Sequence, residues 1–410
     1  MEKKEFFKGL LSGFIISAFI GCCVACLLII RNSPTRANDA AISQAVGNVS
    51  DDSVISTRTI SKVEALESII DSYYIDSVSK NMIEEGMYDG IMASLGDPYS
   101  CYYSPEELQA TVEKTEGYFY GIGAVLMLNQ EYGYPQVVSL IDGSPAANSE
   151  LRIDDIITEV DGIDVGGMEL DESVALIKGE ENTEVVLSIA RLATSEEFEV
   201  RLIRAKVESQ SVSYEMLDGS IGYIQISSFD EATVEQFTEA LATVKGSRAK
   251  GLIIDLRGNP GGSLPAVVDI AREILPAGPI VTTEDKYGNV VPYDCDGSHE
   301  LDIPLVVLIN GGSASASEIL AGAIKDYGIG TLMGTTTYGK GIVQRIIQLT
   351  DGSAVKLTVS HYYTPLHNDI HKVGIEPDVE VPFDVDAYLE DTSNDNQLDE
   401  AIEYLMKEIQ

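Results

Sequence analysis

Positive charge is scarce in this sequence. Lysine and arginine number 27 against 66 aspartates and glutamates, a formal net charge of −39 at pH 7. Such a surface repels phosphate backbones and anionic lipid, which excludes nucleic-acid binding as a main function. Cysteine is scarce as well: of five, Cys22, Cys23 and Cys26 crowd into one apolar stretch. Cys101 and Cys295 stand far apart, make no disulfide framework and read as packing residues. The four histidines, with His361 in a strand-like run and His367 and His371 in a polar loop, show no HExxH or other ligand spacing. A zinc site or a Ser-His-Asp triad is a minor alternative on that basis, and neither metal nor cofactor is expected.

Long apolar runs are absent but for one. Residues 9–30 carry no charged side chain, and these 22 residues match a bilayer core of about 30 Å as a helix. Lys3, Lys4 and Lys8 precede the run, so the chain reads as single-pass in the cell membrane, N-terminus cytoplasmic and the remainder extracytoplasmic. A cleaved signal peptide competes, because small residues surround Ala18–Cys22, and a lipidated Cys22 is a further alternative. The run continues to Ile30, however, beyond a usual signal h-region.

The 410 residues as a whole are 44% hydrophobic and 23% charged, which suits two or three packed domains. Residues 1–31 form the tip and anchor, and the polar segment 32–58 reads as a stalk. Helical spacing from Ile60 to Tyr73 and across 82–95, then a capped start at Ser104-Pro105, gives a helical domain over 59–116. Short β-like runs at 124–128, 136–140, 156–160 and 184–190 surround a helical pattern at 171–177, a β-module over 117–205. From 206 to 384 strands and helices alternate; 251–256 and 305–309 are continuous apolar runs, as in strands buried on both faces. An acidic linker and a helix occupy 385–410.

Three segments could carry chemistry. In Asn310-Gly-Gly-Ser313-Ala-Ser315-Ala-Ser317-Glu318, Ser315-x-x-Glu318 is a capping box, and a serine at a helix start also lies beside free N–H donors. Both readings are compatible. Gly334-Thr-Thr-Thr-Tyr-Gly339-Lys340-Gly341 fails as a phosphate loop, since Gly341 replaces the metal-binding hydroxyl and strand follows. A lysine among apolar neighbours loses its proton more easily, so Lys340 can serve as a general base. Asp255-Leu-Arg257-Gly-Asn259-Pro-Gly261-Gly262 is a strand-end turn, or a turn that presents bare amides to a ligand.

Together with GYIQISSF, KLTVSHYYTP, GIEPD, LGDPYSCYY and FYGIGAVL, these motifs resemble the carboxyl-terminal processing peptidase family over roughly residues 60–382. The resemblance implies an α/β fold, namely a crotonase-like α/β protease core with an inserted PDZ β-module and an N-terminal helical segment, here behind a single N-terminal transmembrane helix. By position it makes Ser315 the nucleophile, Lys340 the general base, Gln344 the residue that orients the lysine, and the Gly261 and Ala316 amides the oxyanion donors. Tyr120-Gly121-Ile122-Gly123 resembles the PDZ loop that receives a peptide's terminal carboxylate. The expected partners are proteins bound by their C-terminal tails, the membrane through residues 9–30, and a second copy in a homodimer. A catalytically silent PDZ adaptor is the competing function. Ser149-Glu150-Leu151, Lys178-Gly179 and His361 depart from the family pattern, His361 standing where arginine is common.

Overall fold

The computed structural model describes residues 54–217 and 220–409, which fall into two units divided at Ile83. The apolar run 9–30 lies outside the described residues; among those described, no helix is long and apolar enough to cross a membrane. In the first unit, helix α1 (Thr57–Tyr73) opens on Ser56, whose side chain accepts the Thr59 N–H, and none of its residues is buried. Helix α2 (Lys80–Ala93) follows.

The second unit begins within α2. Strand β1 (Cys101–Tyr103) and helix α3 (Pro105–Glu116) come first; Ser104 and Glu107 close a full capping box. Strand β2 (Tyr118–Gly121) pairs antiparallel with β9 (Ala205–Glu208), so the module between them leaves and returns through one two-stranded neck. That module holds β3 (Ala124–Leu128), β4 (Pro135–Leu140), β5 (Ile156–Val160), β6 (Ile163–Asp164), helix α4 (Leu170–Ile177), β7 (Glu184–Arg191) and β8 (Glu196–Ile203). Its sheet runs β3-β4-β5-β7-β8, leaving β3 as an edge. Alternate residues of β7, namely Val185, Leu187 and Ile189, point into a core shared with Ile157, Ile177 and Leu202.

The largest core is built on a sheet in the order β10 (Val212–Leu217), β11 (Ile221–Ile226), β12 (Gly251–Asp255), β15 (Leu305–Ile309), β16 (Thr331–Gly334), β19 (Val379–Glu380), parallel from β11 onward. The continuous apolar strands serve two faces. Leu252, Ile254, Val307 and Ile309 pack under helices α5 (Glu231–Gly246), α6 (Leu264–Arg272) and α7 (Ala316–Tyr327). Ile253, Val306 and Leu308 face Ala401 and Leu405 of the C-terminal helix α9 (Asn396–Glu408), which follows the short α8 (Val385–Glu390). A second, antiparallel sheet is built from β13 (Gly278–Asp285), β14 (Val290–Cys295), β17 (Ile342–Gln348) and β18 (Ala354–Tyr363), with β1 on the outer edge of β18. Cys101 and Cys295 are both free thiols, and Cys295 is buried against the Leu275 carbonyl.

Candidate active site

The carboxyl ends of β11, β12 and β15 converge, where ligands of parallel α/β sheets bind. Polar side chains knit the loops that leave them. Asn259 donates to the Ile226 carbonyl (2.8 Å), Ser313 Oγ to Leu256 (2.7 Å) and Ser317 Oγ to Asn259 (2.9 Å), while Asn310 Oδ1 accepts the Gly258 N–H (2.9 Å). Beneath this cluster, Arg257 grips buried Asp255 and Asp395, the N-cap of α9; its Nη2 lies 2.6 Å and 2.8 Å from their carboxylates. Partial burial pushes the Asp395 carboxyl up, but the Arg257 hydrogen bonds and the α9 amides hold it below its ordinary value. Arg257→Ala leaves Asp255 charged and uncompensated in the interior. It is expected to cost about 3–5 kcal/mol, measured as the shift in denaturant midpoint at constant slope; a loss under about 1 kcal/mol would contradict the buried-pair account.

Ser315 stands between β15 and α7 at φ 54°, ψ −111°, a conformation that non-glycine residues avoid and that surrounding contacts must hold. The Tyr362 hydroxyl donates to its carbonyl (3.1 Å), and its N–H goes to Glu318 Oε2 (2.9 Å). Glu318 is fully buried. The same Oε2 accepts the Lys340 N–H (2.8 Å), and Oε1 accepts the Thr337 hydroxyl (2.6 Å) and the Gly339 N–H (2.7 Å). One carboxylate thus clamps the backbones of Ser315 and Lys340 from either side. The Lys340 amine lies over the Tyr99 ring, 4.8 Å from its centroid. Burial pushes its pKa down and the nearby Lys356 adds to the shift, against Asp97 and Glu318.

The remaining sequence-derived site residues are placed as follows. Gly261 sits against Ser315, for a side chain there would meet Ser315 Cβ and the Ala316 nitrogen at 2.8 Å. Its own N–H, however, donates to Asn259 Oδ1 (2.8 Å) in an Asx turn. Ala316 is the first residue of α7, where amides lack intrahelical acceptors. Gln344 makes no hydrogen bond to Lys340; its amide reaches Thr358 Oγ1 at 3.4 Å. No hydrogen bond joins the Ser315 hydroxyl to the Lys340 amine among the described residues, a geometry that often tightens only when substrate binds. His361 lies edge-on to His371 at 5.8 Å, and among the described residues no group of three His, Cys, Asp or Glu could hold a metal ion.

Residues 220–381 match the model of peptidase family S41, residues 136–191 that of a PDZ domain, and residues 23–107 that of the activating protease CtpB N-terminal domain. The carboxyl-terminal-processing protease of Synechocystis is 38% identical over 307 residues, 74% of this chain and 72% of that protein. The carboxy-terminal processing protease CtpB of Bacillus subtilis is 35% identical, over 79% and 68%. The chain belongs to peptidase family S41. It is a serine-type peptidase of the carboxyl-terminal processing group. An S41 protease structure from Bacteroides fragilis shares the fold at TM-score 0.51 and 16% identity, covering 84% of this chain and 97% of that one.

In this S41 peptidase Tyr120 and Gly121 end the neck strand β2, and Ile122 and Gly123 lead on into the edge strand β3. Ile122 is buried, and Gly123 adopts φ 77° against Ser144, a site that a β-carbon would overfill. Lys178 lies over the Phe119 ring at 5.3 Å. Two features of this region become visible only in the structure, one residue and one turn. Glu318 had been read only as a cap, and its second set of partners, Thr337 to Lys340, has no signal in local spacing. The Asp97-Pro-Tyr99-Ser100 turn lies within the LGDPYSCYY stretch of the resemblance, but its attachment to Thr358 of β18 has no signal in local spacing.

Proposed function

We propose that this S41 peptidase is a membrane-anchored, extracytoplasmic endopeptidase that engages C-terminal tails of other proteins and cleaves through a Ser315–Lys340 dyad. The observation that carries the reading is the Glu318 carboxylate, which holds the backbones of both residues through one oxygen. Neutral Lys340 accepts the Ser315 hydroxyl proton as Oγ adds to the peptide carbonyl carbon, and the carbonyl π pair moves onto oxygen. Amides of Ala316 and of the glycine pair receive that oxyanion; with the Gly261 N–H committed to Asn259, the next amide, Gly262, is the better second donor. The protonated lysine then passes its proton to the leaving amine, and water releases the acyl-enzyme. Residues 9–30 supply the anchor with the core outside, the core is read as crotonase-like, and the exposed apolar residues Ile60, Leu66, Ile69 and Tyr73 of α1 supply a homodimer contact.

The unpaired edge of β3 beside α4 suits a tail added as an extra strand, its carboxylate meeting the loop at Tyr120–Gly123. Full-length protein in detergent is expected to cleave a substrate with a free apolar C-terminus about tenfold faster than the same substrate amidated. A fluorophosphonate should label Ser315 by mass spectrometry. Equal rates on both tails would remove carboxylate recognition, and labelling elsewhere would remove the nucleophile.

A further inference from the structure

The turn 97–100, outside the three motif segments, is packed against the base. Asp97 Oδ1 accepts the Tyr99 N–H (3.0 Å) and Oδ2 the Ser100 hydroxyl (2.6 Å). Ser100 Oγ in turn accepts the Thr358 N–H (3.0 Å) of β18, so the turn is riveted to the sheet beside Gln344. Tyr99 presents its ring face to Lys340 Nζ and donates its hydroxyl to Tyr338 (3.3 Å). That contact, with burial, pushes the Tyr99 phenol up to about 12, so it stays neutral. On β18, Lys356 Nζ is fixed on the Tyr103 hydroxyl at 2.8 Å. The charged groups acting on Lys340 are therefore Asp97 from the turn, Lys356 from β18 and Glu318 from α7.

We propose that the 97–100 turn is a positioning element of the catalytic centre, in which the Tyr99 ring face and the Asp97 carboxylate receive the Lys340 ammonium as it forms. This rests on the Ser315–Lys340 reading above. At rest the base is a neutral amine, which a ring face and a carboxylate hold weakly. After the Ser315 proton is taken it is a cation, which both attract. The interaction strengthens along the reaction coordinate and acts on kcat rather than on substrate binding. Lys356 works in the opposite sense, disfavouring the ammonium and keeping the resting amine free.

The test measures kcat, KM and the pH dependence of kcat/KM on full-length protein. Tyr99→Leu is expected to lower kcat about tenfold at nearly unchanged KM, and Tyr99→Phe, which keeps the ring, to retain the rate. Asp97→Asn keeps the turn but removes the charge, so the Lys340 pKa falls and the acid limb moves to lower pH. Lys356→Met removes a like charge, so the limb moves to higher pH. A purely structural turn would not shift the limb in opposite senses. Wild-type kcat in Tyr99→Leu, or limbs that stay put or move together, overturns the proposal while leaving the dyad standing. A Ser315→Ala variant as active as wild type overturns the dyad and, with it, this inference.

Discussion

Ser315→Ala is expected to reduce peptide hydrolysis by about six orders of magnitude, and Lys340→Arg by nearly as much, because in the proposed dyad nucleophile and base act as one unit. Arginine keeps the positive charge and reach of lysine but does not lose its proton, so it separates basicity from electrostatics. The double variant is expected to be no worse than either single one. In wild-type enzyme the same logic fixes the direction of the pH profile. The base works only when neutral, and burial lowers the Lys340 pKa; activity is therefore present above that pKa and lost as pH falls through it. Single-turnover kinetics on an apolar-tailed substrate checks both statements. Substantial activity in Lys340→Arg would point to a different base.

Glu318→Ala is expected to cost at least about 3 kcal/mol of stability, since it strips the acceptor from four buried or half-buried donors. Glu318→Gln is the more informative change. It preserves volume and one acceptor oxygen, but it turns an amino group toward N–H donors. The fold should survive with a lowered Tm, while Ser315 and Lys340 lose their common anchor. Misplacement on the ångström scale costs about 10²-fold in rate. Thermal unfolding together with kcat of the glutamine variant decides the matter; a wild-type kcat would show that the clamp is structural only.

Much of this was legible in the sequence, and the parts that were not share a cause. Continuous apolar runs at 251–256 and 305–309 mark the two-faced central strands, and alternation at 184–190 marks a one-faced one. These are properties of a segment by itself. Strands β13 and β14, with exposed Val290 and Val291 and interior Thr283, carry no such pattern and become visible only through their register with β18. The same holds at the site. Motif position brings Ser315 and Lys340 to mind, but Glu318 gains its meaning from a loop about twenty residues away, and Asp97 from a strand far along the chain. Gly261 is the converse case. Asn259 two residues earlier is a local Asx signal, and the structure pairs the Gly261 N–H with its side chain.

The link between Arg257 and Asp395 gives the molecule a schedule. Synthesis delivers the Asp255–Gly262 turn long before the residue that completes its ionic clasp, 138 positions later. Until α9 docks on Ile253, Val306 and Leu308, the underside of the central sheet is bare and the turn beside Ser315 lacks its outer partner. A growing chain therefore carries this turn unclasped until α9, translated after every strand of the central sheet, packs beneath it.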